Sequence, residues 1–249
     1  MTAPRIFLAG DSGTAARRRD EAPLAGWGQA LPLFLTHAEV TDAARPGASS
    51  RTFVESGALA ALLDGIAPGD LLLVSFGLND VHTDDPRGTE PFGDHQSSLR
   101  AHVHGARDRG AHPVLVTAYE RRLFDDQGNL LRPLGMYHAA VRELGASLCV
   151  PVIDLGEWSA VQWRRAGDLG SRAFFAHLEP GEHPAHPDGL RDNTHLRERG
   201  AVECARFVAA ELNRQGLLAP EHVRDLDAPV PLEAVPYKED PAADHLGLR

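Results

Sequence analysis

Short apolar runs alternate along this chain with longer segments in which apolar residues recur every three or four positions. The short runs are typical of buried strands, because a strand covered on both faces has little room for polar side chains. Five strands are predicted in this way, at residues 5–10, 38–43, 70–77, 112–118 and 150–155.

The longer segments have the spacing of amphipathic helices, and several of them stop at Gly or Pro. Helices are predicted at residues 26–35, 55–66, 94–110, 134–148 and 199–216. Strands and helices in alternation predict an α/β fold, with a parallel sheet that helices cover on both faces. With 249 residues, 43% of them hydrophobic, the chain can bury the core of one such domain.

Polar residues and glycines follow the first four predicted strands. Ser12 follows the first strand, Gly47 the second, Asn79 the third and Glu120 the fourth. Sites in open parallel sheets lie at the carboxyl ends of the strands. We therefore expect these loops to converge on one edge of the sheet.

Two regions depart from the alternation. Residues 172–196 are rich in Pro, Gly and His and are predicted to form a long loop, a kind of loop that is usually functional in a compact domain. After a domain at residues 1–216, residues 217–249 hold too many prolines for a helix. This tail is expected to be an extended arm that packs on the domain or on a neighbouring subunit of a homo-oligomer, or else to be disordered.

Charge and composition argue against several partners. The net charge of −10 argues against nucleic acid, but it leaves room for a neutral or weakly charged substrate such as a sugar. No apolar run is long enough to cross a bilayer, so no membrane partner is expected. The N-terminal apolar run covers only residues 6–9. We therefore expect a cytoplasmic protein, or a secreted one whose signal segment has been removed.

The cysteine content gives no disulfide framework. Cys149 and Cys204 each lie in an apolar stretch and are predicted to be small buried thiols.

Residues with catalytic potential stand at both ends of the chain. Asp192 and His195 are three positions apart, so one turn of backbone can bring the carboxylate to Nδ1 of the imidazole. Nε2 would then be free to take a proton from the hydroxyl of Ser12. The N–H groups of Ser12 and Gly47 and the side-chain amide of Asn79 could stabilise an oxyanion. Taken singly, each of these residues is better explained by turn or capping chemistry.

Four motifs occur in the order of the sequence blocks of one enzyme superfamily. "AGDS", "PGASSRTF", "FGLND" and "DNTH" resemble the blocks of the SGNH (GDSL-type) hydrolases. Within that superfamily the chain is most similar to the rhamnogalacturonan acetylesterase group of carbohydrate esterases, through "GWGQAL", "PVLVTAYERRLF" and "LEPGEHPAHPDGLRDNTHL". The likeness runs from about residue 5 to residue 212 and leaves only the tail outside.

The resemblance implies a fold and a set of roles. The implied fold is a flavodoxin-like three-layer α/β/α sandwich with a five-stranded parallel sheet, the SGNH hydrolase fold, with no metal or organic cofactor. Ser12 is implied to be the nucleophile, and Asp192 and His195 the acid and base of the triad. The oxyanion hole is implied to consist of Ser12, Gly47 and Asn79.

The chain departs from the family pattern near the mouth of the implied site. Gly13 stands where the family usually has Thr, Leu78 stands where it usually has His, and the block around Gly47 holds one extra residue. None of these departures removes an implied catalytic group, but they bear on which sugar is accepted.

Other residues are weaker candidates. Four are expected to contact substrate: Arg51, Leu78, Tyr119 and Glu120. Arg121 and Arg122 are expected either to shape the cleft or to form surface ion pairs. For the three tryptophans, Trp27, Trp158 and Trp163, a place in the core is the default, with stacking on sugar rings as the alternative. A metal site would draw on His177, Glu179, His183, His186 and His195, but their spacing matches no common zinc pattern.

The expected function is therefore a serine esterase that removes O-acetyl groups from carbohydrate, acting on pectin- or xylan-derived oligosaccharides through an acyl-enzyme. Three alternatives stay open. The chain could act on other acyl chains as a lipase or thioesterase, bind carbohydrate without catalysis on the same fold, or be a metallohydrolase.

Overall fold

Five parallel strands form the central sheet of the computed structural model, which describes residues 3–239. The strands are β1 (Arg5–Gly10), β2 (Glu39–Asp42), β3 (Leu71–Ser75), β4 (His112–Val116) and β5 (Val152–Ile153). Their order in the sheet is β2-β1-β3-β4-β5, which is the flavodoxin-like order. The predicted parallel sheet is confirmed, and its register pairs Leu8 of β1 with Asp42 on one side and Leu73 on the other.

Helices cover both faces of the sheet. They are α1 (Trp27–Ala30), α2 (Ser50–Glu55), α3 (Ala58–Asp64), α4 (Gln96–Arg107), α5 (Gly135–Leu148), α6 (Leu155–Ser171) and α7 (Glu198–Arg214). Alternate side chains of β1 enter opposite halves of the core: Ile6 and Leu8 pack towards α1, α6 and α7, whereas Phe7 and Ala9 pack towards α2 to α5. The predicted three-layer sandwich is therefore confirmed.

Some helices differ from the sequence prediction. The predicted helix at 26–35 is one α-helical turn followed by a 3-10 turn at Leu31–Phe34, because Pro32 has no N–H to continue the α-helix. Helices α2 and α6 were not predicted. Within α6 the backbone kinks at Gly167, where φ is +70°.

The predicted loop at 172–196 contains an antiparallel hairpin. Its strands are β6 (Phe175–Leu178) and β7 (Leu190–Leu196), and their register pairs Phe175 with Leu196 and Leu178 with Leu190. Asp192 and His195 both lie on β7, so the expectation that a helical turn joins them is wrong. The hairpin is irregular between Phe175 and His177.

The two cysteines differ in exposure. Cys204 of α7 is buried as predicted, but Cys149 is exposed, so that prediction is wrong. Cys149 caps α5 in the left-handed conformation, with φ of +50°, and this turn carries the chain out of the helix at the surface.

The first part of the tail lies against the domain. Leu218 and Val235 are 3% and 2% exposed, and Val223 forms a bridge with Leu35. The last ten residues, 240–249, lie outside the described residues, and a contact with a neighbouring subunit stays a prediction. Between residues 3 and 239, every helix is too short or too polar to span a membrane.

Candidate active site

Ser12 lies in a tight turn directly after β1. The backbone carbonyl of Asp11 accepts hydrogen bonds from the N–H groups of Thr14 and Ala15, at 3.1 and 3.0 Å. The next helical residues after this turn are Arg19–Glu21, which form a single 3-10 turn. Ser12 is 6% exposed, so it is a buried residue at the carboxyl edge of the sheet.

A chain of hydrogen bonds joins Ser12 to the hairpin. Nε2 of His195 lies 3.1 Å from Oγ of Ser12, and Nδ1 of His195 lies 2.6 Å from Oδ2 of Asp192. The other oxygen of Asp192 accepts the N–H groups of Thr194 and His195, at 2.7 and 2.9 Å. Nδ1 therefore carries the proton of a neutral His195, and Nε2 faces Ser12 as an acceptor.

The electrostatics of Asp192 favour its ionised form. Burial alone would raise the pKa of this carboxyl, but the hydrogen bonds and charge of His195 and the two backbone N–H groups outweigh burial and lower the pKa to about 2. Asp192 is consequently an anion throughout the neutral range, suited to orient an imidazole and to stabilise its cationic form.

Three N–H groups at this edge have no acceptor among residues 3–239. They are the backbone N–H of Ser12, the backbone N–H of Gly47 and one of the two N–H groups of the Asn79 side chain. Asn79 Nδ2 gives one hydrogen to the carbonyl of Ala48 at 2.9 Å, and its Oδ1 accepts from Arg87 at 3.0 Å, so the amide has one fixed orientation and one free hydrogen. Gly47 has φ of +81°, a conformation that favours glycine.

A buried carboxylate links the Ser12 turn to the Asn79 loop. Asp11 Oδ1 accepts the N–H of Gly13 at 2.9 Å, and Oδ2 accepts the N–H of Leu78 at 3.1 Å. Burial raises the pKa of Asp11 to about 7, although both hydrogen bonds act in the opposite direction. Sequence reasoning missed this residue, whose only signal was its position next to Ser12.

Three of the four residues expected to contact substrate are buried instead. Leu78, Tyr119 and Glu120 are 2%, 1% and 0% exposed, so their expected place in the cleft lining is wrong. A Cβ on Gly13 would lie only 2.7 Å from the Tyr119 ring and 2.9 Å from the Leu78 side chain. These side chains therefore fill the space that a residue larger than glycine would need at position 13.

The segment after β4 holds the hairpin strand β7 in place. The Tyr119 hydroxyl donates to the carbonyl of Thr194 at 2.8 Å, and Arg121 donates to the Thr194 hydroxyl at 2.9 and 2.6 Å. The N–H of Arg122 donates to the carbonyl of Asn193 at 2.9 Å. These contacts fix the two residues that lie between Asp192 and His195.

The three candidate arginines have different partners. Arg51 donates to the carbonyl of Pro86 at 2.5 Å and pairs with Asp94 at 3.4 Å, so its guanidinium is already engaged. Arg122 is buried and pairs with Asp168. Within residues 3–239, no carboxylate lies within 4.0 Å of the Arg121 guanidinium, although the Glu120 carboxylate accepts the backbone N–H of Arg121 at 3.0 Å.

Arg121 also acts electrostatically on His82, which lies three positions after Asn79. Burial lowers the pKa of His82, and the charges of Arg121 and Arg87 lower it further. The N–H of His82 donates to the carbonyl of Asn79 at 3.3 Å, so Arg121 acts on the loop that carries Asn79.

The remaining candidates take structural places. Trp27 and Trp163 are core residues, and Trp158 stacks on Phe207 with ring centroids 4.8 Å apart. Nε2 of His177 lies 2.7 Å from Oδ1 of Asn193. Over the described part of the chain, no three His, Cys, Asp or Glu side chains are grouped closely enough to hold a metal ion.

Comparison with known proteins points to one family. The sequence model of the GDSL-like Lipase/Acylhydrolase family matches residues 8–201. Rhamnogalacturonan acetylesterase RhgT of Bacillus subtilis is 43% identical over 88% of this chain and 94% of its own length. The probable rhamnogalacturonan acetylesterase YesY of the same organism is 36% identical over 89% of this chain and 98% of its own length.

A solved structure shares the fold. The crystal structure of Bacillus subtilis YxiM superposes with a TM-score of 0.73 at 26% sequence identity. The match covers 87% of this chain and 58% of the YxiM chain.

Proposed function

Because this chain belongs to the GDSL-like lipase/acylhydrolase family of carboxylic ester hydrolases, we propose that it is a serine esterase that removes O-acetyl groups from carbohydrate. The observation that carries the proposal is the hydrogen-bond chain from Ser12 through His195 to Asp192, with distances of 3.1 and 2.6 Å. Those three groups are the nucleophile, base and orienting acid of an acyl-transfer site.

In the first half-reaction, Ser12 is acylated. Oγ of Ser12 attacks the acetyl carbonyl carbon while Nε2 of His195 takes the hydroxyl proton. The N–H groups of Ser12 and Gly47 and the free amide hydrogen of Asn79 stabilise the negative oxygen of the tetrahedral intermediate. The carbon–oxygen bond to the sugar then breaks, and His195 gives its proton to the departing sugar oxygen.

In the second half-reaction, water releases the acetyl group. His195 takes a proton from the water as its oxygen attacks the acetyl-Ser12 carbonyl, and the same N–H groups stabilise the second oxyanion. The bond to Ser12 breaks, Oγ regains its proton from His195, and acetate leaves. Asp192 stays ionised throughout and stabilises the imidazolium, in keeping with its pKa of about 2.

The substrate that we propose is an acetylated oligosaccharide derived from pectin rather than from xylan. Two relatives, at 43% and 36% identity, are named for rhamnogalacturonan, a polymer whose name includes galacturonate and whose carboxylates are anions. Arg121 supports this choice, because its guanidinium lies beside β7 without a carboxylate partner in the described chain. A guanidinium of this kind suits the carboxylate of a uronic acid next to the acetylated sugar.

Removing the nucleophile or the base tests the proposed chemistry. Ser12→Ala and His195→Ala should each lower the kcat for release of acetate from p-nitrophenyl acetate by about a thousandfold or more. Either loss is this large because the side chains of Ser12 and His195 act as one unit. Ser97→Ala and His104→Ala, exposed residues of α4, are matched controls and should keep wild-type rates. A folded Ser12→Ala or His195→Ala variant with wild-type activity would show that the assignment is wrong.

Removing the charge of Arg121 tests the proposed substrate. Arg121→Gln should raise KM for acetylated galacturonate oligosaccharides by about tenfold, the loss of one charged hydrogen bond. KM for acetylated xylo-oligosaccharides, which carry no carboxylate, should stay the same. Arg142→Gln, on an exposed arginine that pairs with Asp154, is the control. Equal changes in KM for both substrates would contradict recognition of a carboxylate.

A further inference from the structure

The side chain of Asp80 is buried and accepts hydrogen bonds from four groups, which belong to three residues. Its Oδ1 accepts from the Ser50 hydroxyl at 2.5 Å, from the Thr89 hydroxyl at 2.9 Å and from Nδ1 of His95 at 2.9 Å. Its Oδ2 accepts the backbone N–H of Ser50 at 3.1 Å. Both Asp80 and His95 are 0% exposed, so this hydrogen-bonded pair lies in the protein interior.

The pair lies between the two loops that carry proposed oxyanion donors. Asp80 directly follows Asn79, and Ser50 begins α2 three positions after Gly47. The loops are therefore joined twice, by the amide of Asn79 on the carbonyl of Ala48 and by the carboxylate of Asp80 on Ser50.

The partners hold the Asp80 side chain in one place. Burial alone would raise the pKa of this carboxyl, but the hydrogen bond and charge of His95 and the hydrogen bonds of Ser50 outweigh it and hold the pKa below its usual range. The Tyr137 hydroxyl donates to the Asp80 carbonyl at 2.9 Å, and its ring packs edge-on against His95, with centroids 5.2 Å apart.

Buried polar groups that pair with each other rarely add stability over well-packed apolar side chains, although they can specify one geometry. We propose that Asp80 and His95 are positioning residues that lock the Asn79 amide and the Gly47 loop into one rigid oxyanion-binding frame. This inference rests on the proposed esterase function. It gives the interior pair a role in the rate of reaction, with no contact between the pair and substrate.

The proposal predicts an effect on kcat rather than on KM. Oxyanion donors act in the transition state, so a displaced donor slows the chemical step without weakening the binding of the ground-state ester. A misplacement of about 1 Å can cost about a hundredfold in rate.

The experiment compares two histidines that are equally buried. His102 of α4 is also 0% exposed, but its Nδ1 donates only to the carbonyl of Ser98, at 2.8 Å, and its ring packs on Phe53 and Phe76. His95→Leu should lower kcat for p-nitrophenyl acetate by about ten- to a hundredfold with KM within about threefold of wild type. His102→Leu should keep both constants within about threefold. His95→Asn, which keeps a donor near the position of Nδ1, should recover most of the rate.

Two further measurements keep the test decisive. Ser50→Ala removes one hydrogen bond to Asp80 and keeps the backbone N–H, so it should fold, and its kcat should fall by about two- to tenfold. The side-chain amide resonance of Asn79 in nitrogen-15 spectra should move in Ser50→Ala and stay in place in His102→Leu. Unchanged kcat in folded His95→Leu and Ser50→Ala, or an equal loss in His102→Leu, would overturn the proposal.

The amide resonance also separates this inference from the function on which it rests. If the wild-type protein hydrolyses no ester, the proposed function fails. The Asn79 resonance then decides the positioning role alone: movement in Ser50→Ala supports it, and an unmoved signal overturns it.

Discussion

Asp11 shows how much a single buried side chain contributes to the geometry of the site. Its two oxygens accept backbone N–H groups from the Ser12 turn and from the Asn79 loop, at 2.9 and 3.1 Å. Burial raises its pKa from 3.8 to about 7, so ionising this carboxyl opposes folding. The residue that joins the Ser12 turn to the Asn79 loop therefore also makes the stability of the protein sensitive to pH.

The pKa of Asp11 predicts a specific pH dependence of stability. A carboxyl whose folded pKa is raised stabilises the fold fully below its unfolded pKa of 3.8, and the contribution is lost as pH rises through about 7. Between about pH 4.5 and pH 7.5, the unfolding free energy of the wild type should therefore fall relative to that of Asp11→Asn by roughly 3 kcal/mol.

Urea denaturation of both proteins across this range measures the difference. His102 and His138, whose pKa values burial lowers to about 4, are present in both proteins, so their opposite pH dependence cancels. A difference that does not change with pH would show that Asp11 does not titrate in this range.

The unusual residues of the sequence motifs compensate for one another. Gly13 and Leu78 each depart from the family pattern, and the Leu78 side chain would lie 2.9 Å from a Cβ at position 13. Because 65 positions separate them, a single sequence shows two unrelated departures. Only the structure shows that one side chain occupies the space that the other leaves.

At the scale of the element, the sequence predicted the sheet better than its surroundings. All five predicted strands are present, and burial explains the apolar runs of β1, β3 and β4. The expectation that the second strand is buried is wrong, because the residues of β2 are exposed or half-buried at the edge of the sheet. Helices α2 and α6 were missed: α2 has only six residues, and α6 contains Gly156, Gly167 and Gly170, which weaken a helical pattern. The hairpin was missed because its two short strands are separated by Pro and Gly residues typical of loops.

The hairpin strand β7 depends on the segment after β4 for its position. Tyr119→Phe removes one hydrogen bond, from the hydroxyl to the carbonyl of Thr194 at 2.8 Å, and keeps the packed ring. A neutral hydrogen bond contributes about 0.5–1.5 kcal/mol, so kcat should fall by about two- to tenfold as His195 loses part of its support.

A second tyrosine provides the comparison. Tyr237 lies in the tail, and its hydroxyl donates a hydrogen bond to Glu198 of α7. Tyr237→Phe removes this hydrogen bond and should leave kcat unchanged. Steady-state kinetics of the two variants measure the contrast. Equal rates for Tyr119→Phe and wild type would show that β7 is held without this contact.

At the scale of the whole molecule, the convergence of the loops was predictable and their internal supports were not. The rule that sites lie at the carboxyl edge of parallel strands predicts that Ser12, Gly47 and Asn79 lie close together. The contacts of Asp11, Asp80 and Tyr119 depend on buried side chains from distant parts of the chain. No local pattern encodes such pairings, so they appear only in the folded protein.

The charge of the whole molecule differs from the charge beside the site. The chain has a net charge of −10, yet the guanidinium of Arg121 lies beside β7 with no carboxylate within 4.0 Å among the described residues. An overall negative surface slows the approach of an anionic polymer, whereas a local cation orients the segment that reaches the cleft. For the proposed pectin-derived substrate, we expect association to become faster as salt screens the overall charge.

Chemical labelling of Ser12 tests the central claim most directly. A fluorophosphonate reacts with a serine hydroxyl that a neighbouring base activates, and peptide mass spectrometry locates the adduct. We predict a single adduct on Ser12 in the wild type and no adduct on the same peptide of Ser12→Ala. In His195→Ala, labelling of Ser12 should be slowed by about a hundredfold or more. An active wild-type protein that leaves Ser12 unlabelled, or that carries the adduct on another residue, would contradict the assignment of Ser12 as nucleophile.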